Sequence, residues 1–145
     1  MPQPFDDALP SAAGPLRLAG RRVLVVEDES MVAMLIEDVI RDAGAEVIVA
    51  SAGKAALKAA ERHRIDLAIV DLALPDMPGH QVMAGLRAAS PRLAIVIETG
   101  FSAVHAAALA DGAATVLEKP FDPAELIAAI VGLLEAVAPG PALEA

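Results

Sequence analysis

The apolar run at residues 65–70 ends in a single carboxylate, Asp71, and breaks at once into the turn-rich loop Leu72-Ala73-Leu74-Pro75-Asp76-Met77-Pro78-Gly79. A short apolar run bounded by turn residues reads as a strand buried on both faces, as in parallel sheets covered by helices. Reactive groups in such sheets sit at the carboxyl ends of the strands, where Asp71 falls. Asp is also a favoured turn residue, so Asp71 in isolation implies nothing more than a turn. Its meaning depends on what the other strand ends carry. Glu27, Asp28 and Glu29 follow the run 23–26, Thr99 follows 93–97, and Lys119 follows 115–117.

These groups, delivered to one rim, define a chemistry. Carboxylates crowded into a partly desolvated crevice raise one another's pKa, and a hard divalent cation removes that conflict. Oxygen donors without His or Cys fit Mg²⁺, which takes one or two carboxylates and keeps several waters. Lys119 adds a fixed cation and Thr99 a hydroxyl donor. Nucleophile, metal, cation and donor form the set that holds a phosphoryl group on a carboxylate. Each piece also has a plain structural reading. The three acids suit the first turn of a helix, Thr99 a helix cap, and Lys119 the surface. The conjunction at successive strand ends is what favours chemistry.

The elements that must position these groups alternate along the chain. Strands are expected at 23–26, 47–50, 65–70, 93–97 and 115–117. Helices are expected from Ser30 to a stop at Gly44, over 54–63, 80–89 and 102–110, and from Pro123 onward. The 102–110 segment offers only Val104 and Leu109 as larger apolar residues, so its packing should be loose. Five strand–helix alternations with right-handed crossovers give an open parallel sheet covered on both sides. Residues 1–20, rich in Pro, Ala and Gly, are expected to be a flexible tail, with the folded domain over 21–138 and a second tail over 139–145.

Composition narrows the alternatives. The 145-residue chain contains no Cys, which excludes disulfides, thiolate metal sites and thiol nucleophiles and permits a cytoplasmic setting. Although 56% of residues are hydrophobic, much of this is alanine, and no apolar stretch nears the roughly 20 residues that span a bilayer. No membrane insertion is therefore expected. A net charge of −9, with neither Trp nor Tyr, argues against direct nucleic-acid binding. No Gly-rich phosphate loop follows the first strand, which disfavours a nucleotide or flavin site. His63, His80 and His105 lack ligand spacing.

Val23-Leu24-Val25-Val26-Glu27-Asp28-Glu29, Asp71 with Leu74-Pro75-Asp76-Met77-Pro78-Gly79, Thr99-Gly100 and Lys119-Pro120-Phe121 together resemble the receiver domains of two-component response regulators. The resemblance runs from Arg22 to about Val137. It implies a flavodoxin-like (βα)5 three-layer sandwich of strand order 2-1-3-4-5, a stand-alone receiver in a phosphorelay, and a cis Lys119-Pro120 bond. It further implies that Asp71 is the phosphoacceptor and that Glu27, Asp28, Asp71 and the Ala73 backbone carbonyl serve Mg²⁺. Thr99 and Lys119 would contact the phosphoryl group.

The implied donor is a histidine kinase or histidine phosphotransfer protein. The protein would not be an enzyme in its own right, but would assist its own phosphorylation and dephosphorylation. Output would be a protein contact through the face of the fourth helix, fifth strand and fifth helix. Two departures stand out. Val116 occupies the position three before the lysine where an aromatic switch residue is common. Thr99-Gly100-Phe101 only partly echoes a Phe-Ala-Thr-Gly-aromatic subgroup, because Ile97 and Glu98 precede it. Glu98 adds an acid beside the site, with strand alternation expected to point it away from Thr99. The competing reading is a small Mg²⁺-dependent phosphatase or phosphotransferase that forms an aspartyl-phosphate, for which the chain lacks the length of a cap domain.

Overall fold

A computed structural model describes residues 16–100 and 114–137 of the chain. Five parallel strands, β1 (Arg22–Val26), β2 (Glu46–Ala50), β3 (Leu67–Asp71), β4 (Ala94–Thr99) and β5 (Ala114–Glu118), form one sheet in the order β2-β1-β3-β4-β5. Four helices are described: α1 (Ser30–Asp42), α2 (Gly53–Arg62), α3 (Gly79–Ala89) and α4 (Pro123–Val137). The helix expected over 102–110 lies outside the described residues. The architecture is the expected flavodoxin-like one, and the expected strand and helix bounds among the described residues agree with the observed ones to within two residues.

Strand alternation divides the core into two layers. Val23, Val25, Leu67, Ile69, Ala94, Val96 and Leu117 pack with Ile36 and Ile40 of α1 and Leu126 and Ile130 of α4. Leu24, Val26, Ala68, Val70, Ile95 and Ile97 pack with Ala56 of α2 and Val82, Met83 and Leu86 of α3. β3, at the centre, is buried at every position, including Asp71. That centrality fixes the acceptor candidate: removing a fully buried Ile or Leu from water contributes about 1.5–3 kcal/mol, and the strand holds two such residues, Leu67 and Ile69.

The loop after Asp71 is fastened at two points. Gly79 brings it back against the strand end, its N–H donating to the Leu72 carbonyl at 3.1 Å. A Cβ there would stand 2.6 Å from both the Asp71 carbonyl oxygen and the Leu72 Cα, so only glycine permits this approach. Asp76 then reaches across to the start of α2, accepting from the Gly53 N–H at 2.7 Å and the Lys54 N–H at 2.9 Å. Ala52, the residue preceding α2, has no side chain able to cap it, so Asp76 satisfies those first-turn donors from a distant loop. The bonds from Lys54 and then Gly53 hold the Asp76 carboxyl below the usual carboxylate range.

The N-terminal boundary needs correction. Leu18, expected in a flexible tail, is fully buried among the α1–α4 layer, and its N–H donates to the Ala43 carbonyl at 2.8 Å. Gly44, at φ 102°, turns the chain out of α1 beneath this segment, and a Cβ on it would meet the Leu16 Cβ at 2.9 Å. Packing therefore begins at least as early as residue 16. Leu18→Ala should cost roughly 2–5 kcal/mol in urea unfolding, as for other buried leucines. A loss within the scatter of surface substitutions, below about 0.5 kcal/mol, would mean that the segment does not belong to the core.

Candidate functional site

Register assembles the site. Val26 pairs with Val70, so Glu27, the next residue, comes opposite Asp71, and Asp71 pairs with Glu98 on the other side. All three continue the alternation of the layer that faces α1 and α4. Three successive strands thus deliver three carboxylates to one spot. Glu27 is 1% exposed, Asp71 4% and Glu98 not at all. Their nearest carboxylate oxygens lie within 4.8 Å of one another.

Lys119, following β5, enters the same spot. Its Nζ lies 3.1 Å from Asp71 Oδ2, 3.4 Å from Glu27 Oε1, 3.5 Å from Glu98 Oε1 and 3.9 Å from Glu29 Oε1. Its N–H donates to the Thr99 carbonyl at 2.8 Å, and the Lys119-Pro120 bond that follows is cis, as expected. Asp71 is held at both oxygens: Oδ2 accepts from Lys119 and Oδ1 from the Ala73 N–H at 3.0 Å. Glu27 is braced differently, with Oε2 accepting the Glu29 N–H at 3.1 Å and Oε1 without a hydrogen-bond partner.

The electrostatics follow from burial. Three carboxylates face one ammonium, so full ionisation would leave two uncompensated negative charges in a desolvated crevice. Burial first, and then a hydrogen bond and repulsion from Glu27, push the Glu98 carboxyl up to about 9. Burial likewise raises Glu27. Lys119 is opposed by its own burial, but the bond to Asp71 and the charges of Glu98, Asp71 and Glu27 hold it above the ordinary lysine range. Glu27 and Glu98 can hydrogen-bond only by sharing a proton. With both ionised, neither Glu98 oxygen has a hydrogen-bond donor.

A hard divalent cation fits this donor set. The ligand atoms are all oxygen, three of them are orphaned and buried, and the negative charge exceeds what Lys119 can balance. Of the residues expected from sequence, the structure brings Glu27, Asp71 and Lys119 together at its centre. Asp28 is exposed at the rim and outside the buried cluster, while Thr99 is buried at the last position of β4. Ala73 meets Asp71 through its N–H.

Glu98 was the residue missed. Alternation does set it opposite to Thr99, but away from Thr99 is toward Asp71, its cross-strand partner. The sequence carries only its place one before Thr99; the register that pairs it with Asp71 appears in the structure.

The sign of the pH dependence follows from these shifts. Between 4.5, the ordinary carboxyl value, and about 9, native Glu98 keeps a proton that the unfolded chain has released. Stability from this group is fully present below 4.5 and is lost as pH rises toward 9. Raised Glu27 acts in the same direction. In chelator-treated protein, Tm should fall from pH 5 to pH 9, and Glu98→Gln should flatten that fall. Parallel Tm profiles for the two proteins would contradict the assignment.

The chain matches the response regulator receiver domain over residues 23–131. It is 39% identical over 114 residues to the transcriptional regulatory protein PdtaR of Mycobacterium tuberculosis, covering 76% of this chain and 55% of that protein. It is 35% identical over 114 residues to the probable transcriptional regulatory protein TcrX of the same organism, covering 77% and 49% respectively. It thus spans about half the length of these curated relatives. Among solved structures, a response regulator receiver protein from Sinorhizobium medicae superposes with a TM-score of 0.75 at 30% identity, covering 81% of this chain and 96% of that one. The chemotaxis protein CheY4 of Vibrio cholerae superposes with a TM-score of 0.72 at 30% identity, covering 80% and 100%. A buried carboxylate ending the central strand, a lysine bonded to it from β5 and a family match across most of the chain lead to one conclusion: the chain belongs to the response regulator receiver domain family, the phosphoacceptor module of two-component signalling.

Proposed function

We propose that Asp71 is the residue that accepts the phosphoryl group, from the phosphohistidine of a kinase or phosphotransfer protein. The observation that carries this reading is the tethering of Asp71 at the end of β3 by the Lys119 ammonium and the Ala73 N–H. A carboxylate oxygen attacks phosphorus, the P–N bond to the donor imidazole breaks, and the imidazole leaves. The residues with named roles are the acceptor Asp71, the cation Lys119 and the hydroxyl donor Thr99. Lys119 already bonds the acceptor and would stabilise charge gathering on the phosphoryl oxygens. Thr99, at the end of β4, would meet the transferred group. Glu27, Asp28, Asp71 and the Ala73 carbonyl would hold Mg²⁺, which when bound neutralises phosphoryl charge and orients the group. The same residues would assist hydrolysis of the acyl phosphate, so the protein tunes its own lifetime in the phosphorylated state.

The donor must approach over the mouth of this site. Exposed Met31, Met34 and Leu35 lie on α1 beside it, and a cavity of about 370 Å³ is lined by Val32, Leu35, Lys119, Pro120 and Phe121. An exposed apolar patch next to a charged acceptor suits a protein donor better than a small one. Output is a protein contact on the face of β5 and α4, where half-buried Val116 takes the position of an aromatic switch. Among the described residues no helix is long and apolar enough to cross a membrane. A cytoplasmic setting and the absence of direct nucleic-acid contact complete the reading.

Incubation with Mg²⁺ and acetyl phosphate should add one phosphoryl mass, and Asp71→Asn should abolish it. With a cognate phosphohistidine protein as donor, Leu35→Glu should slow transfer by roughly ten-fold while leaving acetyl phosphate labelling intact, as expected for an interface anchor. An adduct that survives Asp71→Asn, or none from either donor, would sink the reading.

A further inference from the structure

The carboxylate cluster at the strand ends differs from the expected metal-binding carboxylates in one member. Asp28 stands exposed at the rim, whereas Glu98 lies fully buried, in register with Asp71 and with a carboxylate oxygen within 4.8 Å of oxygens of both Asp71 and Glu27. With Glu27 and Glu98 both ionised, neither Glu98 oxygen has a hydrogen-bond partner. Oε1 has Lys119 Nζ at 3.5 Å, beyond the usual N–H···O range, and Oε2 has none. A fully buried carboxylate without donors is costly unless something positive meets it. The only other orphaned buried side-chain oxygen among the described residues is Glu27 Oε1, in the same cluster. Orphaned acceptors from two strands, with Asp71 between them, converge on one point.

We propose that Glu98 is a ligand of the divalent cation site, forming with Glu27 and Asp71 a three-carboxylate cradle built from the adjacent ends of β1, β3 and β4. The inference rests on the receiver reading above and adds to it a residue on β4. Lys119 cannot supply the missing charge alone, because its bond to Asp71 at 3.1 Å leaves Glu98 at a longer distance. A hard cation reaches carboxylates at about 2.0–2.6 Å and takes several at once, which a single ammonium does not. Cation affinity rises with the number of charged ligands, so a third buried carboxylate makes this site tight in the unphosphorylated protein. The cation also converts Glu98 from a burial cost into a source of stability, linking metal binding to folding.

The test is calorimetric titration of the full chain with MgCl₂ and, separately, MnCl₂, comparing the natural protein with Glu98→Gln. Glu98→Gln keeps the shape and removes the charge. It should weaken both ions by roughly ten-fold or more, the scale on which lost ligand-shell groups act, and should shrink the rise in Tm produced by MgCl₂. Unchanged or tighter binding in Glu98→Gln would overturn the proposal, since a carboxylate that only repels its neighbours improves the site when neutralised.

A second measurement needs no variant. Because broadening by Mn²⁺ falls with the sixth power of distance, substoichiometric Mn²⁺ should broaden the Glu98 side-chain carboxyl ¹³C resonance of the natural protein as strongly as those of Glu27 and Asp71. A Glu98 resonance broadened many-fold less than that of Asp71 overturns the proposal as well. Failure of acetyl phosphate to label Asp71 would instead count against the receiver reading, while the affinity comparison between natural protein and Glu98→Gln still decides the place of Glu98.

Discussion

One ammonium holds the functional end of this molecule together. Lys119 Nζ lies within 4 Å of carboxylates from Glu27, Glu29, Asp71 and Glu98, which arrive after β1, at the end of β3 and within β4. Without it, three buried acids would face one another across a desolvated gap. Surface ion pairs contribute little, but breaking a buried pair by removing one partner is costly because it strands charge. The same ammonium makes the acid cluster tolerable and, on the proposed reading, is the group that an incoming phosphoryl would meet at Asp71. The excess negative charge that Lys119 leaves unbalanced is also what makes a divalent cation fit.

The sheet supplies the precision. Because β1, β3 and β4 are neighbours in one parallel sheet, three side chains at matched register arrive on one face without any loop having to place them. Gly79 and Asp76 then fasten the loop beyond Asp71, one by permitting a close backbone approach and the other by capping α2. Sites carried on strand ends are held more rigidly than sites carried on loops. Val116 is half-buried three positions before Lys119, so on the proposed reading no aromatic at that position carries the signal from Asp71.

Much of this was legible in the sequence. Apolar runs bounded by Gly, Pro and acids marked all five strands, and the residues just beyond four of them marked the rim. What escaped notice depends on contacts distant along the chain. Leu18 is a single apolar residue in a Pro/Ala/Gly-rich stretch, with no periodicity to announce that it packs under Ala43. Asp76 lies 23 residues from the donor it caps, and α2 carries no side-chain cap of its own to show the need. The environment of Glu98 is set by its partner across on β3, which its neighbours along β4 do not reveal. Alternation along one strand says which face a side chain takes; only register says what it meets there.

The central claim is that Asp71, braced by Lys119 within an acid cluster completed by a divalent cation, is the one acceptor in the molecule. Fluorine NMR with beryllofluoride, a phosphoryl mimic, tests it most directly. With Mg²⁺ present, bound fluorine resonances from a single species should appear, vanish in Asp71→Asn and depend on the metal. Bound resonances that persist in Asp71→Asn, or that form equally well in chelator, would contradict it.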